Sequence, residues 1–209
     1  MTMVIKSSGS LRERKKLVTR QCIIREAIRL FSARGFDAPT IEEIASAAQI
    51  GKGTVYNYFS SKEEILVAFL VGIEQRVQGR LRHFGESKAP LRRILSEFLR
   101  FQFRLKRPYY PFIKVLLSQL ILRGPELEDH VERMHAYVQS PLLTLFTCLQ
   151  KRGLIPRDAD IPALIRTFIE LHFGLNCLWA MEGPPFRDAL RAVDEQMAIF
   201  SESLERKKA

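Results

Sequence analysis

Apolar residues recur every three or four positions along almost the whole chain, which is the period of an α-helix that buries one face. Leu17, Ile24, Ile28 and Phe31 show this spacing in the first segment, and Gly35 is placed where a glycine ends a helix. No segment shows the sustained alternation of apolar and polar residues that a half-buried strand requires. The pattern therefore predicts an all-α protein.

Two short helices are predicted after the first one. Thr40 and Glu43 have the spacing of a capping box, in which each side chain bonds an unpaired backbone N–H of the other residue. A helix should therefore begin after Thr40. Residues 49–51 interrupt it, and residues 52–59 form a third short helix. Its inward side chains should be those of Val55 and Phe59.

The later helices are predicted from capping signals and prolines. A second capping box, Ser61 with Glu64, opens a fourth helix that we expect to continue to about Phe84. Further helices should begin where a proline stands just inside an apolar segment, since the missing N–H has no partner there anyway. Pro141 lies within one of these segments and should kink or split it. The segments are 89–106, 110–122, 125–152, 161–180 and 184–206.

Residues 40–59 combine two short helices with a turn, behind a longer helix, which is the arrangement of a helix-turn-helix. The stretches Gly35–Ala45, Gly51–Phe59 and Ser61–Ile65 resemble the TetR family of bacterial one-component transcriptional regulators. The resemblance is detailed over residues 15–70 and architectural beyond them. It implies a homodimer with a three-helix DNA-binding domain and a helical C-terminal domain that binds a small molecule.

The resemblance implies three parts and a function. We expect a flexible arm over residues 1–11, a helix-turn-helix domain over 12–61, and an effector-binding and dimerisation domain over 62–209. The implied function is that of a transcriptional regulator. The preferred interpretation is a repressor that a small-molecule effector releases from a palindromic operator. A DNA-organising protein of the same fold without an effector is the alternative. The effector, the operator and the choice between repression and activation stay open.

Specific residues are assigned to DNA by the same resemblance. A cap at a helix N-terminus can meet a phosphate, and side chains on the exposed side of the third helix can reach base edges. The family's paired aromatic residues and a lysine at the start of the fourth helix contact the phosphate backbone. The residues expected at base edges are Lys52, Thr54 and Asn57, and those expected at phosphates are Thr40, Tyr56, Tyr58 and Lys62.

Two positions depart from the family pattern. Gln49 stands in the turn where the family usually has glycine, and a left-handed backbone there costs a non-glycine residue about 1 kcal/mol. Gly51 stands where the family often has a serine cap, and glycine is a slightly weaker cap.

The charge supports a polyanionic partner. The 209 residues include 33 Lys and Arg against 23 Asp and Glu, a formal net charge of +10. Basic side chains clustered along the first helix could follow a phosphate backbone or simply face solvent. They are Arg12, Arg14, Lys15, Lys16 and Arg20.

An effector pocket is expected among the helices at 89–180. The same residue types also fill any helical core, and that interpretation stays open. If Arg100 or Arg104 points inward, the effector could be anionic. The candidate lining residues are Phe101, Phe103, Arg104, Tyr109, Phe112, Tyr137, Phe168, His172 and Trp179.

The segments at 161–180 and 184–206 carry more apolar residues than one core face absorbs. This predicts a four-helix bundle across a two-fold axis, as the family usually forms. The alternative is a pair of ordinary core helices in a monomer. The expected interface residues are Phe168, Leu175, Leu190, Val193, Met197, Phe200 and Leu204.

An enzyme is the competing class. Glu132 and His135 have the spacing with which di-iron bundles present two ligands on one helix, but a second such pair is missing from the sequence. Motifs for nucleotide binding or hydrolysis are also missing. We therefore expect no enzyme, no metal and no cofactor.

Membrane insertion and export are not expected. The longest uncharged apolar stretch, Leu171–Met181, is well short of the ~20 residues that a spanning helix needs. The first residues lack an apolar run of signal-peptide length. A cytoplasmic protein is expected.

Overall fold

The regular structure is helical throughout the part of the chain that the computed structural model describes, residues 10–122 and 128–205. This confirms the predicted all-α class. A single 3₁₀ turn, Arg107–Tyr109, joins the sixth helix to the seventh. The α-helices of these residues are α1 (Leu11–Arg34), α2 (Ile41–Ala47), α3 (Lys52–Tyr56), α4 (Lys62–Gln78), α5 (Leu81–Glu86), α6 (Leu91–Lys106), α7 (Tyr110–Leu122), α8 (Glu128–Lys151), α9 (Ile161–Glu182) and α10 (Arg187–Glu205).

The chain divides into two compact units, Met1–Phe69 and Leu70–Ala209. The boundary falls inside α4, later than the boundary after residue 61 that the sequence suggested. The predicted flexible arm lies outside the described residues except for its last two. Of these, Ser10 caps α1 in a capping box with Glu13, and Leu11 is the first residue of the helix.

The first unit is built from α1, α2, α3 and the start of α4. Helix α1 packs on α2, and α2 packs on α3. Gly35 ends α1 with a φ of 78°, a value that favours glycine, and its N–H donates to the carbonyl of Phe31 at 3.0 Å. The core residues of this unit include Ile23, Ala27, Phe31, Ile44, Val55, Phe59 and Ile65.

The predicted fourth helix is two helices in the structure, because the helix breaks at Gly79 and Arg80. Glycine inside a helix costs roughly 1 kcal/mol relative to alanine, so this is a weak point of the segment. The break lets α5 turn its own apolar residues, Leu81 and Phe84, into the core.

The core of the second unit is a cluster of phenylalanine rings. Helix α10 packs against α6 and α9, while α8 packs against α5 and α9. Phe168 of α9 contacts rings from the three neighbouring helices, with centroids 5.3–6.1 Å away. Those rings belong to Phe98, Phe146 and Phe200.

Several helices differ from the predicted segments, most clearly around Pro141 and at the start of α10. Helix α8 continues through Pro141 without being split, because buried Leu142, Leu145 and Phe146 hold the turns after it in the core. Helix α10 begins at Arg187 and not at residue 184. The carboxylate of Glu182, the last residue of α9, accepts from the backbone N–H groups of Asp188 and Ala189, and so caps α10 from outside.

Candidate nucleic-acid interface and buried polar cluster

Helices α2 and α3 form the predicted helix-turn-helix. Thr40 caps α2, since its hydroxyl accepts from the N–H of Glu43 at 3.2 Å and the Glu43 carboxylate accepts from the N–H of Thr40 at 2.8 Å. Gln49 has a φ of 57°, which confirms the left-handed turn expected at this non-glycine residue. Gly51 caps α3 through its backbone alone. The local signals of the sequence therefore predicted this motif correctly.

Helix α3 ends at Tyr56 and not at the predicted residue 59, and its side chains, together with those of residues 57–59, separate into an inward and an outward set. Val55 and Phe59 are 0 % and 1 % exposed, as predicted, and hold the helix to the core. The outward set is the surface that could meet DNA. It contains the exposed Lys52, Tyr56 and Asn57 and the half-buried Thr54 and Tyr58.

Lys52 is held by an ion pair across the turn. Its ammonium contacts the carboxylate of Glu42 on α2 and lies 5.8 Å from the centre of the Tyr56 ring. The hydrogen bond from Lys52 lowers the pKa of Glu42, and the same bond raises the pKa of Lys52. Both groups are therefore charged at neutral pH, and their ion pair competes with any contact that Lys52 makes with a phosphate or a base.

Lys62 has a different position from the one expected of a phosphate contact. Its ammonium donates to the carbonyl oxygens of Phe36, Asp37 and Pro39 at 2.9, 2.9 and 3.1 Å. A lysine ammonium has three hydrogens, and all three are used here. In this arrangement Lys62 fixes the loop between α1 and α2, and a phosphate would have to replace one of these carbonyls.

The basic side chains of α1 face outward, with one exception. Arg12, Arg14, Lys15 and Lys16 are exposed. Arg20 is half-buried, and its guanidinium lies 5.0 Å from the centre of the Phe59 ring, so it covers the core of the unit.

The predicted pocket residues of the second unit do not form one group. Phe112 and Phe168 are buried in the core, Tyr109 is half-buried, and Tyr137 lies outside the described side chains. The ring of Phe101 packs near the ring of Phe84, with centroids 5.8 Å apart. The guanidinium of Arg80 lies 5.8 Å from the centre of the Phe101 ring.

Arg100 and Arg104, the two arginines that could have carried a positive charge into the pocket, do not point into the core. Arg104 is exposed. Arg100 donates to the carboxylate of Asp194 and to the carbonyl of Leu190 at 3.0 Å, so it joins α6 to α10. Neither therefore supplies the inward positive charge that the sequence suggested.

That charge is supplied by Lys106, which the sequence reasoning missed. Its side chain is in the core, with Nζ 3.0 Å from Oδ1 of Asn176 and 3.2 Å from Nε2 of His172. Glu74 acts on Lys106 through its charge. Gln102 lies one turn before Lys106 on the same buried face of α6. We call Glu74, Gln102, Lys106, His172 and Asn176 the polar cluster.

The protonation of the polar cluster follows from its burial. Desolvation lowers the pKa of Lys106 to about 8, so the ammonium form predominates at pH 7. The pKa of His172 is lowered well below its usual value by burial and by the charge of Lys106, so the imidazole is neutral. Burial raises the pKa of Glu74, and Lys106 opposes that rise.

A signal for the cluster was present in the sequence. His172 and Asn176 are four residues apart, on the stripe of α9 that otherwise carries Phe168, Leu175 and Trp179. Two polar residues at helical spacing within an apolar stripe predict either a buried network or a ligand contact.

Most of the residues predicted for the dimer interface are buried within the single chain. Phe168, Leu175, Val193, Met197, Phe200 and Leu204 are at most 6 % exposed in the single chain, and only Leu190 is half-buried. They are the protomer's own core and have no surface left for a partner. The exposed apolar residues of the same two helices lie on other faces, and they are Phe173, Leu178, Met181 and Ile199.

The part of the chain that the structure describes has neither a cluster of metal-ligating side chains nor a helix that could span a membrane. His, Cys, Asp and Glu side chains do not gather there in threes as metal ligands would. The Glu132 and His135 side chains lie outside it. Every helix within the described ranges is too short or too polar to cross a membrane.

The chain is similar to known proteins of one family of bacterial regulators. The family described as "Bacterial regulatory proteins, tetR family" matches residues 23–69. The HTH-type transcriptional regulator TcmR of Streptomyces glaucescens is 40 % identical over 77 residues, 33 % of this chain and 34 % of that protein. The uncharacterized HTH-type transcriptional regulator YerO of Bacillus subtilis is 34 % identical over 110 residues, 51 % of this chain and 37 % of that one. The chain thus spans little more than a third of either relative.

A solved structure extends the similarity of fold to most of the chain. FadR of Thermus thermophilus, a TetR family transcriptional repressor in complex with lauroyl-CoA, superposes with a TM-score of 0.68 at 21 % identity. The match covers 87 % of this chain and 92 % of that one.

Proposed function

We propose that this chain is a member of the tetR family of bacterial regulatory proteins, a DNA-binding transcriptional regulator that responds to a small molecule. The observation that carries the proposal is the exposed face of α3, which is held to the core by Val55 and Phe59 and leaves Asn57 free to enter a groove. A helix presented in this way fits the major groove of B-DNA.

The contacts that we propose follow the position of each side chain. Thr54 and Asn57 read base edges, and Lys52 joins them or binds a phosphate once Glu42 is displaced. Thr40, at the N-terminus of α2, and the hydroxyls of Tyr56 and Tyr58 bind phosphates. Lys62 acts mainly by positioning the loop that carries Thr40, because its three hydrogens are already bonded to carbonyls.

We further propose that the protein works as a homodimer, with the outer faces of α9 and α10 forming the interface. Phe173, Met181 and Ile199 are 43 %, 80 % and 63 % exposed in the single chain. Gly174 lies beside Phe173, and a methyl group added to it would meet no atom of the chain. An apolar face with a small residue lets two helices approach closely.

The second unit receives the effector in this proposal. The similarity to a FadR structure that contains lauroyl-CoA supports a ligand-binding helical unit, and the buried polar cluster supplies polar groups for one. An effector changes operator affinity only by binding one arrangement of the dimer better than the other. We propose that effector binding releases the protein from its operator and that the protein works in the cytoplasm.

Selection from random DNA tests this function. A two-fold symmetric dimer should return an inverted repeat whose half-sites lie about one helical turn apart, roughly 34–36 Å, or a multiple of it. Affinity for the selected site should fall steeply with salt. If selection returns direct repeats, or no shared sequence, the proposed function is wrong.

A further inference from the structure

The polar cluster is incomplete as a set of hydrogen bonds. Lys106 has three ammonium hydrogens, and within the described ranges only His172 and Asn176 lie at hydrogen-bond distance from it. Gln102 is only 3 % exposed, and among the described residues its buried Oε1 has no donor. Buried polar atoms without partners are rare in folded proteins, because each one has lost its bonds to water. Within the part of the chain that the structure describes, the cluster therefore has bonding capacity that is not used.

We propose that the polar cluster recognises the carboxylate of the effector, an inference that rests on the proposed function. The carboxylate takes the third hydrogen of Lys106 and pairs with its charge. The amide of Gln102, turned by half a rotation, presents its N–H groups to the same carboxylate. Both unused bonding capacities are then filled by one group.

The charge and the number of donors select this ligand class. A cationic group would be repelled by Lys106, and an apolar group would leave both vacancies unfilled. A phosphate monoester carries about two negative charges at pH 7, of which the single ammonium of Lys106 balances only one. A carboxylate has a single charge and two oxygens, which match Lys106 and Gln102.

The surroundings define the rest of the ligand. Phe103 lies between Gln102 and Lys106 on α6, and its ring stacks on Trp179 with centroids 5.8 Å apart and planes 3° from parallel. The His172 ring is 6.4 Å from the ring of Phe103. An effector whose carboxylate is at Lys106 therefore places its carbon skeleton against aromatic rings, and it should be an aliphatic or aromatic carboxylic acid.

The experiment titrates the full chain by calorimetry with two acids, octanoate and 4-phenylbutyrate. The primary amide of each acid is titrated separately as its uncharged control. At least one acid should bind at least about tenfold more tightly than its amide, as a charge-assisted bond allows. Lys106→Met should reduce affinity for the acid to that of the amide, and the exposed Lys114→Met should not. Equal binding of acid and amide, unchanged binding by Lys106→Met, or no binding of either acid would overturn the inference.

Gln102→Leu separates a ligand contact from a structural residue. The substitution removes an unsatisfied buried oxygen, so the melting temperature should stay the same or rise while affinity for the acid falls. A lower melting temperature with unchanged affinity would assign Gln102 to the fold and contradict its role here.

Failure of this inference can be told apart from failure of the proposed function. Binding of the wild-type chain to its selected DNA site is measured without any acid present. If that binding is found and neither acid binds, only the carboxylate inference is lost. If an acid binds through Lys106 and no DNA site is selected, the proposed function is lost and the carboxylate site stands.

Discussion

Lys62 holds Phe36 in two ways: its ammonium donates to the Phe36 carbonyl at 2.9 Å and lies 5.0 Å from the centre of the Phe36 ring. The first residue of α4 is thereby tied to the loop that follows α1. Because Thr40 stands at the end of that loop, the same contact positions the N-terminus of α2. This relationship explains why a lysine at the start of α4 can matter for DNA binding without contacting DNA.

Replacing Lys62 tests that role. Lys62→Met should lower the stability of the protein by about 1–3 kcal/mol, since it leaves three carbonyl oxygens without their donor. Thermal denaturation measures this loss. The slope of log affinity against log salt should not change, because no phosphate contact is removed. A slope smaller by about one unit, with unchanged stability, would instead assign Lys62 to a phosphate.

Asn57 and Thr54 should affect specific DNA binding alone. Changing either one to alanine is expected to cost roughly 1–3 kcal/mol on the selected site and to relax the base preference at one position of each half-site. Binding to random duplex should hardly change, since base contacts contribute little there. Both affinities are measured across a salt series.

Tyr58→Phe is the matched control, because it removes a hydroxyl assigned to a phosphate. It should weaken both duplexes alike. Equal loss on both duplexes for Asn57→Ala would show that α3 is docked differently from the proposal.

The dimer interface is tested by charges on the exposed face of α9. The double variant Phe173→Glu and Met181→Glu should give a folded monomer by light scattering and circular dichroism, because both side chains are exposed in the single chain. Val193→Asp should lower the free energy of unfolding by more than about 4 kcal/mol and so unfold the protein, because Val193 is completely buried. A double variant that remains dimeric would place the interface elsewhere.

Two glycines give a finer comparison. Gly72 in α4 and Gly174 in α9 are both helical, and a methyl group on either would meet no atom of the chain. Gly72→Ala should stabilise the protein by up to about 1 kcal/mol, through helix propensity. Gly174→Ala should weaken the dimer, since the added methyl group would separate the paired helices. Sedimentation at several concentrations distinguishes the two results.

The buried charge of Lys106 predicts a dependence of stability on pH. Burial lowers its pKa from 10.5 to about 8, so between these values the unfolded chain binds more protons than the folded one. The free energy of unfolding must then increase with pH over this window, as far as Lys106 contributes. Melting temperatures of the wild type should rise relative to those of Lys106→Met from pH 8 to pH 10. Parallel curves would contradict a buried, charged Lys106.

Local signals in the sequence determined the helices and the DNA-binding motif. The capping box at Thr40 depends on residues three positions apart, so a short stretch is enough to define it. The inward side chains of Val55 in α3 and of Phe59 just after it could also be predicted, because they are the apolar pair of a short segment. In each case the atoms that interact are neighbours along the chain.

Only the tertiary structure decided which surfaces meet. Helix α9 has apolar residues on both sides, and its periodicity could not show that Phe168 and Leu175 face the core while Phe173 and Met181 face outward. The contacts of Lys106 with His172 and Asn176 join residues that are 66 and 70 positions apart. A helical period tells which residues share a face, but not which neighbour covers that face. That choice depends on how the helices pack, and so the buried charge and the outer face of α9 became visible only in the folded chain.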